Sequence, residues 1–301
     1  MKRILVTGSN GLLGQNLVKF LVEHKFEVFA ISRGENRLSN EKGYSYSDIN
    51  LEEFEKTRSF ICDVEPHVII HTAAMTNVDR CELEKEACYY ANVEVVKNIV
   101  DCCETLDIQL IHLSTDFIFD GKKGYYKESD QANPVNYYGW SKLRSEELIL
   151  ESNIKYTILR TILVYGLTEE FKSNIIFWVK NNLGAKRDIS VVTDQYRMPT
   201  HVDDLVFACH QAIIGEVFGV YHISSSELLS IFEVANMVAE VFNLDKKYIH
   251  PVQSVELNLP AKRPEKTGFD LFLSIKELKF KPQSFRKGLQ LFKNQIESKS
   301  P

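Results

Sequence analysis

The sequence predicts an α/β protein built on an open, doubly wound parallel sheet, followed by a smaller α/β domain. Its short apolar segments are continuous rather than alternating, helical patterns separate them over the first 160 residues, and a glycine-rich turn directly follows the first of them. Continuous apolar strands are buried on both faces, which a parallel sheet between two layers of helices requires.

Strands and helices alternate regularly in the first half of the chain. The predicted strands are Ile4–Val6, Val28–Ile31, Val68–Ile70, Leu110–Leu113 and Tyr156–Leu159. The predicted helices between them are Leu12–Val22, Leu51–Phe60, Ala87–Cys103 and Ser141–Leu150, where apolar residues recur at spacings of three and four.

Beyond residue 165 the pattern loosens, and a Pro-containing tail closes the chain. Helices are predicted near Lys172–Leu183, Val202–Ile214 and Ile231–Phe242, and strands near Ile189–Val192 and Val220–Ile223. We therefore expect one domain over residues 1–165 and a second over residues 166–301, with some segments of the second returning to the first.

Composition excludes several classes of protein. The 301 residues carry a net charge of −5, so the chain has no basic field for nucleic acid. It contains no stretch of about 18 apolar residues that could cross a membrane. The six cysteines form no Cys-x-x-Cys pair, as is typical of reduced thiols in a cytoplasmic protein, so we expect a cytoplasmic location and no membrane partner.

The glycine-rich turn is typical of a dinucleotide-binding site in a Rossmann-like domain. Gly8 permits a tight turn, Gly11 lets backbone N–H groups approach a pyrophosphate, and Gly14 lets the first helix pack closely on the sheet. The positive end of that helix attracts the anion. Asn10 and Leu12 lie within the same turn, and we expect them to bind the cofactor too.

The end of the second strand indicates which dinucleotide is bound. An NAD site usually presents an acidic residue to the ribose 2′-hydroxyl there, whereas this chain has Ser32 and Arg33. Because a guanidinium suits a 2′-phosphate, the sequence favours NADP, with NAD as the alternative. The alternative is that Arg33 is an ordinary surface arginine in contact with solvent, which binds no phosphate.

Three residues predict carbonyl chemistry. Tyr138 and Lys142 lie four apart on one helical face. Thr115 follows a buried strand at the carboxyl edge of the sheet, where ligands bind in such folds. A phenol has a pKa of about 10, and a nearby cation favours the phenolate. Tyr138 would thus protonate a forming oxyanion, Thr115 would hydrogen-bond that oxygen, and Lys142 would lower the pKa of the phenol and bind ribose hydroxyls.

Together these motifs resemble the extended short-chain dehydrogenase/reductase family, and more narrowly the dTDP-4-dehydrorhamnose reductases. The resemblance extends almost end to end. Its main segments are Thr7–Gly14, His71–Asp79, Leu113–Gly121, Pro134–Gly139, Asp194-Gln195, Pro199-Thr200 and Lys262–Pro264. It implies an NADPH-dependent reductase of the 4-keto group of a nucleotide-linked 6-deoxysugar, in dTDP-L-rhamnose or related polysaccharide-precursor synthesis.

The resemblance also implies roles for residues outside the motifs derived above. Ala73 and Ala74 would line the cofactor path, and Asn92 would support the lysine through water. The implied substrate-binding residues are Thr76, Val78, Thr115, Asp116, Phe117, Leu163 and Arg263.

Three positions depart from the family pattern. Phe117 replaces a usual tyrosine and Leu163 a usual tryptophan, which removes rings that could stack on thymine. Gln15 follows the third glycine where some relatives bind magnesium through a glutamate, so we expect no metal site.

Other functions on the same fold can be weighed from the sequence. Sugar-nucleotide 4,6-dehydratases use an Asp-Glu pair after the threonine, and Phe117 occupies the place of that glutamate. A nucleotide-sugar epimerase stays an alternative, because its tyrosine and lysine are the same. So does an NADP-binding regulatory subunit, because Met198–Asp204 closely resembles the β-subunit of methionine adenosyltransferase. A homodimer is one option for the oligomeric state.

Overall fold

A computed structural model describes residues 1–40, 42–169 and 174–299 of the chain. Its strands are β1 (Arg3–Thr7), β2 (Glu27–Ser32), β3 (Tyr44–Asp48), β4 (Val68–His71), β5 (Gln109–Thr115), β6 (Tyr156–Thr161), β7 (Ile189–Val192), β8 (Tyr196–Arg197), β9 (Gly219–Ile223), β10 (Leu229–Ser230) and β11 (Ile249–Val252). Seven of them form one parallel sheet in the order β3-β2-β1-β4-β5-β6-β9.

Helices cover both faces of this sheet. They are α1 (Leu12–Glu23), α2 (Phe54–Val64), α3 (Val78–Leu83), α4 (Lys85–Tyr89), α5 (Val95–Leu106), α6 (Tyr137–Leu150), α7 (Ile175–Gly184), α8 (Val202–Ile214), α9 (Ile231–Val241), α10 (Phe272–Glu277) and α11 (Phe285–Lys299). A π-helical turn, Tyr90–Glu94, joins α4 to α5. No helix in the described parts of the chain is both long enough and apolar enough to cross a membrane.

The central strands contain continuous apolar segments because their side chains pack into an apolar cluster on each face of the sheet. Successive residues of β1 point to opposite faces, so Leu5 packs in one apolar cluster while Ile4 and Val6 pack in another. Ile69 and Ile70 of β4 divide in the same way. The predicted doubly wound parallel sheet is therefore confirmed.

Several predicted boundaries are wrong. Strand β3 was not predicted because its sequence, Tyr-Ser-Tyr-Ser-Asp, is half polar, as suits the edge of a sheet. Helix α6 begins at Tyr137 rather than Ser141, and α2 covers 54–64 rather than 51–60. The segment predicted as one helix over 87–103 contains the π-helical turn.

The second half of the chain contributes to two cores. Helix α8 packs on α1 and β9 pairs with β6, so both segments join the main sheet. Helices α7, α9 and α11 form a separate apolar cluster with β7 and β11, which pair in parallel. The predicted tail folds into α10 and α11. The start of the helix predicted from Lys172 lies outside the described residues, and the division at residue 165 stays a prediction.

Candidate active site

The glycine-rich turn has the geometry of a phosphate-binding site. Gly8 has φ +68°, and a Cβ there would lie 2.8 Å from the Ala73 backbone nitrogen. A Cβ on Gly14 would lie 2.3 Å from the Gly8 carbonyl oxygen. Helix α1 begins after Gly11 without a side-chain cap and without an acidic residue in its first turn. Its first N–H groups thus lack a side-chain acceptor, and an anion fits there.

An outer cavity of about 660 Å³ extends from this turn along the ends of β2 and β4. Of the expected cofactor-binding residues, those that line it are Gly8, Asn10, Gly11, Ser32, Arg33, Ala73 and Ala74. The Asn10 amide nitrogen donates to the carbonyl oxygens of Arg33 (3.3 Å) and Glu35 (2.9 Å), so Asn10 fixes the loop after β2. Arg33 is exposed at the rim. Arg37, four residues further along the loop after β2, lines the same cavity and is a second cation that the sequence analysis did not predict.

An inner cavity of about 930 Å³ continues from the outer one. Gly11, Thr72, Ala74 and Thr76 line both cavities, so the two form a single cleft. Leu12 also lines the inner cavity, whereas Gly14 packs behind the turn. The structure brings Thr115, Tyr138 and Lys142 together on the wall of this inner cavity.

Close packing of α6 against the end of β5 places the tyrosine beside the threonine. The Asn136 side chain caps α6 by accepting from the Gly139 N–H at 2.9 Å. A Cβ on Gly139 would lie 2.1 Å from the Phe117 carbonyl oxygen, so only glycine permits this approach. As a result, the Thr115 hydroxyl lies near the Tyr138 phenol and lowers its pKa, while it donates its own proton to the Asp116 carboxylate at 3.2 Å.

The environment of Tyr138 differs from the expectation. Burial raises the pKa of Tyr138 above its usual value, and the nearby Asp116 charge adds to that effect, whereas the Thr115 hydroxyl opposes it. Lys142 is not among the main groups that shift this pKa, so the expected lowering by Lys142 is not found in the protein alone. The phenol stays protonated at neutral pH, which is the state of a proton donor.

Lys142 is buried on the floor of the inner cavity. Its Nζ lies 2.9 Å from Nε2 of the buried His112, a contact that the sequence does not predict because it joins β5 to α6. Burial lowers the pKa of Lys142 to about 8, and the charge of Glu146 opposes this. Asn92 lies in the π-helical turn, and its amide bonds the Met75 backbone and the Ser141 hydroxyl rather than Lys142.

The other residues expected to bind substrate line the same inner cavity, and the Phe117 ring lies beside that of Tyr138, with centroids 5.7 Å apart. These residues are Thr76, Val78, Asp116, Phe117, Leu163 and Arg263. Arg263 is held by Asp79 through two hydrogen bonds of 2.6 Å. Leu163, two residues after the end of β6, has φ +43°, which is a strained backbone conformation for leucine.

One further cation at the inner cavity was not predicted. The Nε of Arg197 lies 3.6 Å from the Asp116 carboxylate, and both side chains are buried. The Arg197 guanidinium also donates to the carbonyl oxygens of Pro264 and Glu265 and lies over the Phe117 ring. A lone arginine in the two-residue strand β8 gives no sequence signal for such a role, because the pairing depends on segments far apart in the chain.

Known proteins share this architecture. The chain is 31% identical over 304 residues to the dTDP-4-dehydrorhamnose reductase of Aggregatibacter actinomycetemcomitans, covering 96% of this chain and 98% of that protein. It is 29% identical over 275 residues to the methionine adenosyltransferase 2 subunit beta of Bos taurus, covering 89% of this chain and 80% of that protein.

A solved structure and a family model give the same result. The crystal structure of dTDP-4-dehydrorhamnose reductase from Bacillus anthracis in complex with NADP matches with a TM-score of 0.86 at 28% identity, covering 98% of this chain and 100% of that one. The family model described as the RmlD substrate binding domain matches residues 1–298. The chain is therefore a member of the RmlD family of extended short-chain dehydrogenases/reductases.

Proposed function

We propose that the protein is an NADPH-dependent reductase of the 4-keto group of a nucleotide-linked 6-deoxysugar, of the dTDP-4-dehydrorhamnose reductase type. The observation that carries this proposal is that Thr115, Tyr138 and Lys142 together line the inner cavity, which is continuous with the outer one. A cofactor in the outer cavity and a sugar in the inner one would then meet at these three side chains. Relatives of that activity at 28–31% identity support the proposal.

The chain's own residues fit a dinucleotide phosphate. The uncapped N-terminus of α1 suits a pyrophosphate, and the Arg33 guanidinium at the rim suits a 2′-phosphate. Bound NADPH supplies a hydride to the carbonyl carbon. Lys142 lines the inner cavity, where its ammonium can donate to ribose hydroxyls.

Reduction of a ketone also requires one proton for the oxygen. Tyr138 is protonated at neutral pH because burial raises its pKa, and it therefore donates that proton as negative charge develops on the oxygen. The Thr115 hydroxyl lies beside the same phenol, and with a ketone bound it donates its proton to the developing oxyanion instead of to Asp116. The Lys142 ammonium stabilises the phenolate that remains.

The same inner cavity can hold the nucleotide sugar. Arg263 presents a guanidinium that Asp79 orients, and such a group binds phosphate oxygens well. Phe117 and Leu163 line the cavity with apolar surface. These contacts are our proposal for the substrate-binding residues, together with Thr76, Val78 and Asp116.

The activity is tested by mixing the purified protein with NADPH and dTDP-4-dehydrorhamnose and following the absorbance of NADPH. We expect prompt oxidation of NADPH with one reduced sugar formed per NADPH consumed. Cofactor binding without turnover of this ketone or its other 4-keto-6-deoxy analogues would contradict the proposal.

A regulatory role is the second candidate, since the β-subunit relatives are 29% identical and Asp116 at the inner cavity is already paired with Arg197. If that role holds, the protein binds NADP, leaves 4-keto sugars unreduced and forms a stable complex with a methionine adenosyltransferase catalytic chain. Sedimentation of the mixed proteins checks the complex. Turnover without complex formation favours the reductase.

A further inference from the structure

Buried polar side chains form a row behind the proposed active site. His112 on β5 and His71 on β4 are partners in the strand register, and their rings stack with centroids 5.4 Å apart. Lys142 Nζ lies 2.9 Å from His112 Nε2, and Thr7 Oγ1 lies 2.8 Å from His71 Nδ1. The row therefore connects the lysine to the residue that precedes the glycine-rich turn.

The hydrogen bonds assign the protonation state of His112. An ammonium group can only donate, so Nε2 must offer its lone pair to Lys142. Ser145 Oγ lies 3.3 Å from the same nitrogen, but its proton is donated to the Lys142 carbonyl oxygen at 2.7 Å. Burial lowers the pKa of His112 well below its usual value, which keeps the ring neutral with its proton on Nδ1.

This arrangement is costly for the fold. His112 Nδ1 and His71 Nε2 are buried and have no hydrogen-bond partner among the described residues. An unpartnered buried polar group destabilises a protein, and an apolar side chain of similar size would remove that cost. A role for the imidazole of His112 explains why an apolar residue does not stand there.

We propose that His112 is a positioning residue whose Nε2 lone pair holds the Lys142 ammonium against β5 and keeps it charged inside the cleft. One N–H of the ammonium is used in this contact, and the other two remain for acceptors in the inner cavity. The inference rests on the proposed function, which gives the ammonium its task. His112 acts through Lys142, since it is not one of the described residues that line the inner cavity.

The groups around Lys142 determine in which direction its pKa changes when His112 is replaced. Glu146 on the same helix and Cys88 on α4 raise its pKa, while burial lowers that pKa to about 8. His112 and His71 are the titratable groups that face it from β5 and β4, and both stay neutral because burial lowers their pKa values. Removal of the His112 lone pair destabilises the ammonium, so the pKa of Lys142 must fall. Activity that requires the ammonium is then lost at a lower pH as the pH rises.

The test is an NMR titration of Lys142 in the full-length, ¹⁵N-lysine-labelled protein, with Lys142→Met used to identify its signal. We expect His112→Leu to lower the pKa of Lys142 by roughly one to two units, the size of a lost hydrogen bond to a charged group. His112→Gln, which can place an amide oxygen near the position of Nε2, should restore most of that shift. His71→Leu is the matched control, because it removes the stacked imidazole without removing an acceptor of Lys142. An unchanged pKa in His112→Leu would overturn the proposal.

Two further readouts keep the test decisive. In His112→Leu the alkaline limb of the kcat/KM profile should move down by the same amount, whereas an equal loss at every pH would mean a structural role only and refute the proposal. If that variant does not fold, ¹⁵N-histidine spectra of the wild-type protein decide: a neutral ring protonated on Nδ1 supports the proposal, and titration near about 6.5 overturns it. A wild-type protein that reduces no ketone refutes the proposed function alone, because the titration needs no substrate.

Discussion

Burial acts in opposite directions on two ionisable side chains of the site. It raises the pKa of the Tyr138 phenol, and it lowers the pKa of the Lys142 ammonium to about 8. At neutral pH both groups are protonated, the phenol neutral and the ammonium charged. Reduction needs this pair, because a hydride brings no proton and the phenolate left behind needs a cation beside it.

Replacement of the phenol separates proton donation from binding. Tyr138→Phe should lower kcat by roughly 10²–10⁴, the usual contribution of a positioned acid, while the affinity for NADPH stays close to that of the wild type. Steady-state kinetics and calorimetric titration measure the two effects. The matched control is Tyr137→Phe, since Tyr137 does not line the inner cavity and should change kcat little. A Tyr138→Phe enzyme of nearly normal kcat would show that another group donates the proton.

The preference for a phosphorylated cofactor can be tested at the rim of the outer cavity. Arg33→Ala should weaken NADPH binding by roughly 10–100-fold, because a hydrogen bond between charged groups is lost, and weaken NADH binding far less. Fluorescence titrations with the two cofactors measure this difference, and NADH serves as the internal control. Equal losses for both would remove the basis for the preference, and an unchanged NADPH affinity would leave Arg37 as the phosphate-binding residue.

Among the elements, helix α6 has the strictest packing requirement. Gly139→Ala should lower kcat by at least tenfold and destabilise the fold by roughly 1–3 kcal/mol, because the new Cβ would meet the Phe117 carbonyl oxygen at 2.1 Å and push Tyr138 away from Thr115. Activity and urea denaturation measure the two effects. The matched control is Gly184→Ala at the end of α7, where a Cβ meets nothing within 4 Å and stability should be kept or gained. Normal activity in Gly139→Ala would mean that α6 can move without loss.

Elements were predictable where burial alone decides their sequence. Strands β1 and β4 contain the continuous apolar segments Ile4–Val6 and Val68–Ile70 because helices cover both faces of the sheet. The edge strand β3 and the π-helical turn at 90–94 were missed, because a half-polar strand and a widened helix have no distinct periodicity.

For the site, the motifs predicted the glycine turn and the trio that the structure brings together. The contacts of Lys142 with His112 and of Arg197 with Asp116 were not predictable. Each joins buried polar groups from separate segments, and only the folded chain brings those segments together.

At the scale of the whole molecule, both halves of the chain build the cleft. Asp79 and Asp116 come from the first half, and their partners Arg263 and Arg197 come from the second. These two ion pairs at the inner cavity therefore form only when the second half of the chain is folded on the first. This explains why the resemblance to relatives extends over nearly the full length.

A buried ion pair between the main sheet and α6 is expected to contribute strongly to the free energy of unfolding. Arg160 on β6 holds Glu146 on α6 with an Nη2–Oε2 distance of 2.7 Å, and both side chains are almost completely buried. Glu146→Gln leaves the guanidinium without its charge partner and should reduce the free energy of unfolding by about 3–5 kcal/mol. Urea denaturation measures the loss. Glu147→Gln, which breaks a half-exposed pair with Arg144, is the control and should cost less than about 1 kcal/mol. Equal effects of the two variants would contradict this account of the pair.

The central claim is that hydride passes from NADPH to a sugar ketone beside Thr115, Tyr138 and Lys142. The most direct measurement uses NADPH with deuterium at both positions of nicotinamide C4, incubated with dTDP-4-dehydrorhamnose and the wild-type protein. We expect one deuterium on the former carbonyl carbon of the sugar, found by mass spectrometry and NMR, and its loss together with turnover in Tyr138→Phe. A sugar that stays unlabelled while the protein binds the labelled NADPH would contradict this claim.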